Sequence, residues 1–80
     1  MNLEKLNARD AKTVTPNDAT DLTSAAMALY VGTGGNIQVT TMGGTTLTFI
    51  NVQGGSYLNV QVKRVWSTST TASGIIALLP

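Results

Sequence analysis

The chain has no cysteine and no histidine. The first absence rules out a disulfide and a thiolate metal site. The second removes the commonest metal ligand and the commonest general base. Charge is scarce as well: five basic and four acidic residues give a net +1, and from Leu22 to Pro80 the only charged side chains are Lys63 and Arg64. That balance exerts no electrostatic pull on nucleic acid or membrane, so neither is expected as a partner. No run approaches the about 20 apolar residues of a membrane-spanning helix. The opening M-N-L-E-K-L-N-A-R-D-A-K lacks the apolar centre of a signal peptide.

What the chain has instead is threonine, serine, glycine and valine, in eighty residues that make one domain. A domain this small buries only about 60% of its unfolded surface. A lone core of such a size rarely supplies more than ~3–5 kcal/mol without a disulfide, a metal or partner subunits. Oligomerisation is the route left open here. Small soluble domains normally hold their neighbours off with surface charge. The near-absence of charge beyond Asp21 implies a surface that other protein subunits cover.

The charge is segregated along the chain. Residues 1–21 hold all four acids and three of the five bases. Residues 1–12 read as an N-terminal arm, in which Leu3 and Leu6 could seat one helical turn that twelve residues alone barely sustain. Such an arm is disordered or ordered by a partner. Residues 13–80 read as a single β domain. T-V-T stops at Pro16, and P-N-D-A-T-D is turn chemistry. Met27, Leu29 and Val31 alternate with Ala26, Ala28 and Tyr30, and Gly32-Thr33-Gly34-Gly35 follows as a hairpin turn. Ile37 and Val39, then Leu47 and Phe49, then Leu58, Val60 and Val62 repeat the period, separated by Gly43-Gly44 and Gly54-Gly55. G-I-I-A-L-L closes the chain, with Ile75 and Leu79 on one face and Ile76 and Leu78 on the other. One face of that strand is core and the other interface, or both lie between layers of the same chain. Val65 is out of phase with Leu58, Val60 and Val62, which predicts a β-bulge near Lys63-Arg64.

Period-2 runs with glycine turns at this spacing predict an all-β fold: a small antiparallel β-sandwich or barrel, or a meander, of about 6–7 short strands. The expected core is Met27, Leu29, Val31, Ile37, Val39, Leu47, Phe49, Leu58, Val60 and Val62.

Catalysis is not expected. The acids lie in the arm and in one turn, not facing each other as a carboxylate pair requires. Serines and threonines are plentiful, but only lysines could act as their base. No cofactor motif is present. G-T-G-G has neither the G-K-[ST] nor the long helix of a phosphate loop. Asn17, Asp18 and Asp21 could offer oxygens to Ca²⁺, without EF-hand spacing or a bidentate Glu; in a turn such residues usually accept from local backbone N–H groups. Four aromatics without a basic groove do not make a single-strand platform. Tyr30, Tyr57 and Trp66 among Asn, Gln and Thr could stack on sugars, so a carbohydrate-binding module contacting host-surface polysaccharide is one alternative. Amphipathic rings are equally favoured at subunit boundaries. The candidate subunit interface is Tyr30, Tyr57, Arg64, Trp66, Ile75 and Leu79.

T-P-N-D-A-T-D-L, A-L-Y-V-G-x-G-G-N-I-x-V, T-L-T-F-I-N-V-x-x-G, V-K-R-V and T-S-T-T-A-S-G-I-I-A-L, in this order from Thr15 to Leu78, resemble the head-spike base proteins of tailed phages and gene transfer agents. The resemblance runs from about Thr13 to Leu79. Thr23, Met27 and V-Q-G-G at 52–55 depart from the family's usual residues, all at turns or strand starts. The resemblance implies a structural virion protein at the capsid vertex that mounts a spike or fibre. It implies a homo-oligomer, a pentamer above all, in contact with a major capsid or vertex protein and with a spike or fibre protein. The link to host polysaccharide would be indirect. Such a protein is made in the bacterial host cytoplasm and ends in the virion. A tail or baseplate connector would share the chemistry. Within the arm, Met1, Leu3, Leu6, Arg9 and Lys12 are the candidate capsid tether.

Overall fold

A computed structural model describes residues 8–80. Among them lie seven strands and no helix: β1 (Asp10–Thr13), β2 (Ala28–Thr33), β3 (Gly35–Thr41), β4 (Thr46–Val52), β5 (Ser56–Leu58), β6 (Val62–Val65) and β7 (Ser73–Leu79). They form two antiparallel sheets, a four-stranded one in the order β1-β7-β2-β5 and a three-stranded one in the order β4-β3-β6. The all-β sandwich expected from the period-2 pattern is the fold.

The pairing is not a meander. Only β3 and β4 are neighbours joined by a short hairpin; the connections β2–β3, β4–β5, β5–β6 and β6–β7 each switch sheets. Alternation specifies which residues lie in strands and which face they take, but not which strand they pair with. Gly32-Thr33-Gly34-Gly35 is therefore a corner between sheets rather than the expected hairpin turn. Its glycines are needed for close approach. A Cβ on Gly34 would sit 2.5 Å from the Val52 carbonyl oxygen, and one on Gly54 would sit 2.9 Å from that of Gly32. The corners of the two sheets thus cross backbone against backbone.

Leu29, Val31, Ile37, Val39 and Val62 are fully buried, joined by Val65, Ile75, Ala77, Leu79, Val14, Ala26 and Ala72. Phe49, Leu58 and Val60 pack against this cluster while partly exposed. Two expected core residues fall outside it. Leu47 is 37% exposed, because β4 is the outermost strand of the smaller sheet. Met27 is half-buried at a bend before β2, where its N–H donates to the Leu78 carbonyl, and Ala26 takes the core position beside it.

The phase break at Val65 has the predicted cause. Thr40 faces Arg64 while Thr41 faces Val62, so Lys63 is the extra residue of a bulge in β6 and both Val62 and Val65 turn inward. Part of the span 1–12, expected to be an arm, is a strand. β1 begins at Asp10, and Asp10, Ala11 and Lys12 pair with Leu79, Leu78 and Ala77 of β7. The apolar pattern of β7 recruits this strand although β1 is itself polar and exposed, which is why hydrophobic periodicity did not mark it.

Candidate interaction surfaces

Residues directly opposite on antiparallel strands point to the same face. On the outer face of the four-stranded sheet, Tyr57, Tyr30, Ile76 and Thr13 form one row, and Ala28, Leu78 and Ala11 the next. The Tyr30 and Tyr57 rings meet edge to face, with centroids 5.3 Å apart and planes at 61°. Tyr57 is 58% exposed. None of these side chains is charged.

The outer face of the three-stranded sheet is polar and tied together. The Trp66 indole N–H donates to the Thr40 hydroxyl at 2.9 Å, which shares a second bond of 2.8 Å with the Thr46 hydroxyl. The Arg64 guanidinium lies 5.2 Å from the centre of the Trp66 ring. Its Nε donates to the Asp21 carboxylate at 2.7 Å, the one ion pair among the described residues, and an Nη donates to the Asp18 carbonyl at 3.1 Å. The Asp18 carboxylate in turn accepts the Ser67 and Thr68 N–H groups at 2.7 and 2.8 Å and the Thr68 hydroxyl. The Thr68 hydroxyl and N–H above all hold its carboxyl below the usual carboxylate range; desolvation opposes them, and the Ser67 N–H and the charge of Arg64 add smaller lowering effects. Asn17 accepts the Ala19 and Thr20 N–H groups. The oxygens that could have faced a cation therefore hold a turn and clamp it to the loop after β6.

The flanks of the sandwich differ. Beside β6, segment 17–26 covers the edge through the Asn17, Leu22 and Ala26 N–H groups. Between that segment and β1 opens a cleft of about 260 Å³ with Val14, Leu22, Val65, Ala77 and Leu79 at its base. Lys12 and Asp21 stand among its polar lining. On the other flank β4 has no strand beyond it among the described residues. Met42, Leu47 and Ile50 are exposed there, Ile50 by 69%.

The structure thus brings Tyr30 and Tyr57 together on one outer face, and Arg64 and Trp66 together on the other. Ile75 and Leu79, expected at an interface, are core: they are 2% and 7% exposed, and it is Ile76 and Leu78 of the same strand that face outward. Inward direction is set by β2, whose buried Leu29 and Val31 stand opposite Ala77 and Ile75. Of the tether candidates, Arg9 donates its backbone N–H to Leu79 and Lys12 lies in β1. Met1, Leu3 and Leu6 lie outside the described residues. Sequence reasoning missed Ile50. Its signal was the break of phase between Leu47-Phe49 and Val52, which marks a bulge by the same logic that worked at Val65.

The fold defines a small two-sheet β-sandwich with its few charges gathered at one turn and one flank. No family model and no curated protein matches the chain. Among solved structures it is similar to a chain in the capsid of a native gene-transfer-agent (GTA) particle computed with C5 symmetry: 36% identity, TM-score 0.82, covering 96% of this chain and 88% of that one. This chain belongs to the family of that capsid chain, a family of virion structural proteins.

Proposed function

We propose that this protein is the base of a head spike: a homo-oligomer, most simply a pentamer, seated on the major capsid or vertex protein and carrying a spike or fibre. The observation that carries this is the likeness, over nearly the whole chain, to a component of a capsid computed with C5 symmetry. Five-fold symmetry is that of an icosahedral vertex, and closed cyclic symmetry is the usual form of a homo-oligomer. The surfaces agree. Both outer faces present aromatic side chains with little or no free charge, as interface cores do. Tyr30, Tyr57, Ile76 and Leu78 on one face, and Trp66 with Arg64 on the other, are the residues we assign to neighbouring subunits. The two tyrosine rings stand at 61° to each other, which suits a socket for protein side chains better than a flat platform for a sugar ring.

The mechanism is shape and burial. Copies repeated around an axis add avidity to contacts that are weak singly, and the residues that precede β1 supply the tether to the capsid. The test is localisation. Gold-labelled antibody against this chain, imaged on intact particles, should mark head vertices. Label on the tail or baseplate instead would replace the spike-base role with that of a connector. Binding of the isolated domain to a glycan array, lost in Tyr57→Ala, would favour direct sugar recognition.

A further inference from the structure

We propose that copies of this chain join head to tail, with Ile50 of one copy seated in the cleft formed by Val14, Leu22, Val65, Ala77 and Leu79 of the next. This rests on the homo-oligomer proposed above and names its contact.

Ile50 is displayed by a built device. Gly35 faces Val52 and Ile37 faces Phe49, so β4 spends one more residue than β3 between these pairs and bulges at Ile50-Asn51. Asn51 adopts a φ of 57°, in the left-handed region that costs a non-glycine residue energy and that Asn tolerates best. Its N–H is held by the Asn36 side chain at 2.9 Å. Bulges at a sheet edge re-aim a side chain. Here the result is the most exposed large apolar residue of the described chain, with Leu47 and Met42 exposed on the same strand and the hairpin before it.

The cleft is the complement. At about 260 Å³ it has room for a branched aliphatic side chain, and among its threonines and other polar groups it presents the half-buried Leu22 beside the edges of Val14, Val65, Ala77 and Leu79. The charges match in the sense that matters for burial. The knob side lies within residues 22–62, which carry no charge, and the two charged residues of the cleft, Lys12 and Asp21, are of opposite sign. Closing the contact forces no like charges together and buries no ion from the knob. Knob and cleft also lie at opposite sides, since β4 and β6 are the two edges of one sheet. A contact between unlike patches on opposite sides is heterologous, and it gives a ring where the rotation closes. A standard contact takes about 800 Å² from each partner. The chain has 4900 Å² of surface, enough to supply two such patches and leave most of it for other contacts.

The experiment uses the full chain in native mass spectrometry and analytical ultracentrifugation, with Ile50→Asp and the pair Ile50→Cys/Leu22→Cys. The absence of natural cysteine makes the cross-link free of background. Ile50→Asp should leave the β-sheet spectrum unchanged and weaken self-association at least about 100-fold, because the carboxylate gives up its hydration against Val14, Leu22 and Leu79 and faces the Asp21 charge. Oxidised Ile50→Cys/Leu22→Cys should give a covalent ladder ending at the ring number, and Ile50→Cys alone should give no ladder. Dimers formed as efficiently by Ile50→Cys alone would mean β4 meets β4, and would overturn the proposal. Wild-type assembly retained in Ile50→Asp would overturn it while leaving the homo-oligomer intact. A wild-type chain that stays monomeric at the highest concentration reached overturns the contact; vertex labelling of particles decides the spike-base role separately.

Discussion

The indole N–H of Trp66 reaches across the smaller sheet to the hydroxyl of Thr40 at 2.9 Å, a link between residues 26 positions apart in sequence. Thr40 is only 9% exposed, so its hydroxyl depends on this bond and on that from Thr46. The bond ties the strand end after β6 to the C-terminal end of β3, the middle strand of its sheet.

Trp66→Phe keeps the ring and removes the donor, and should cost about 1 kcal/mol in urea denaturation. Trp66→Ala also removes a half-buried ring and should cost ~2–3 kcal/mol, less than the usual figure for a fully buried tryptophan. The double variant Trp66→Phe/Thr40→Val should recover about 1 kcal/mol against the sum of the single changes. Strict additivity would mean that the hydrogen bond contributes nothing.

Gly34 and Gly43 should respond very unequally to the same change. A Cβ at Gly34 meets the Val52 carbonyl oxygen at 2.5 Å and the Gly54 nitrogen at 2.9 Å, so backbone must move. At Gly43 the nearest atom is the Thr41 hydroxyl at 3.7 Å. Gly34→Ala should destabilise by more than ~2 kcal/mol, while Gly43→Ala should stay within about 0.5 kcal/mol of wild type. Thermal melts of the two variants check this. Equal melting points would show that the sheet corner relaxes freely.

Asp18 should give stability a dependence on pH at the acid end. Its carboxyl is held below its ordinary value by the Thr68 and Ser67 donors. The unfolded chain therefore binds its proton at higher pH than the folded chain does. The stabilisation is fully present above the unfolded value, near pH 4, and is lost as pH falls through the lower folded value. Asp18→Asn should flatten the urea midpoint over that window and leave it almost unchanged in slope near neutrality. An Asp18→Asn profile that keeps the acid limb would assign the limb to other carboxylates.

How much of this was legible in the sequence follows from what each pattern encodes. Period-2 alternation marked Leu29, Val31, Ile37, Val39 and Val62 as core because side-chain direction is a local property of a strand. It misplaced Leu47 because exposure depends on whether another strand lies beyond β4, which is not local. The bulge at Lys63 could be read from Val65's broken phase; the bulge at Ile50 carried the same signal in Val52 and was overlooked. Tyr30 and Tyr57 met as expected of outward residues, whereas Ile75 and Leu79 were assigned to the wrong side of a strand that is apolar on both. β1 was invisible to hydrophobic pattern, since D-A-K-T is held by the ladder to β7 and not by its own burial.

That last point changes what truncation should do. Removal of residues 1–7 takes away none of the hydrogen bonds between described residues, and the sandwich should keep its melting temperature within a degree or two. Removal of residues 1–12 strips Asp10, Ala11 and Lys12 from β7 and also the Arg9 N–H donated to Leu79. The edge of β7, an apolar strand, would then be bare, and such edges invite aggregation. The longer truncation should lose several degrees in melting temperature and become prone to aggregate, so its failure to enter particles would not isolate a tether. The shorter one does. If residues 1–7 reach the capsid, the Δ1–7 chain should fold and self-associate as wild type yet be absent from purified particles by immunoblot. Normal incorporation of Δ1–7 would move the capsid contact to the outer faces of the sandwich, where charge substitutions at Tyr57 and Ile76 would then be the next to block it.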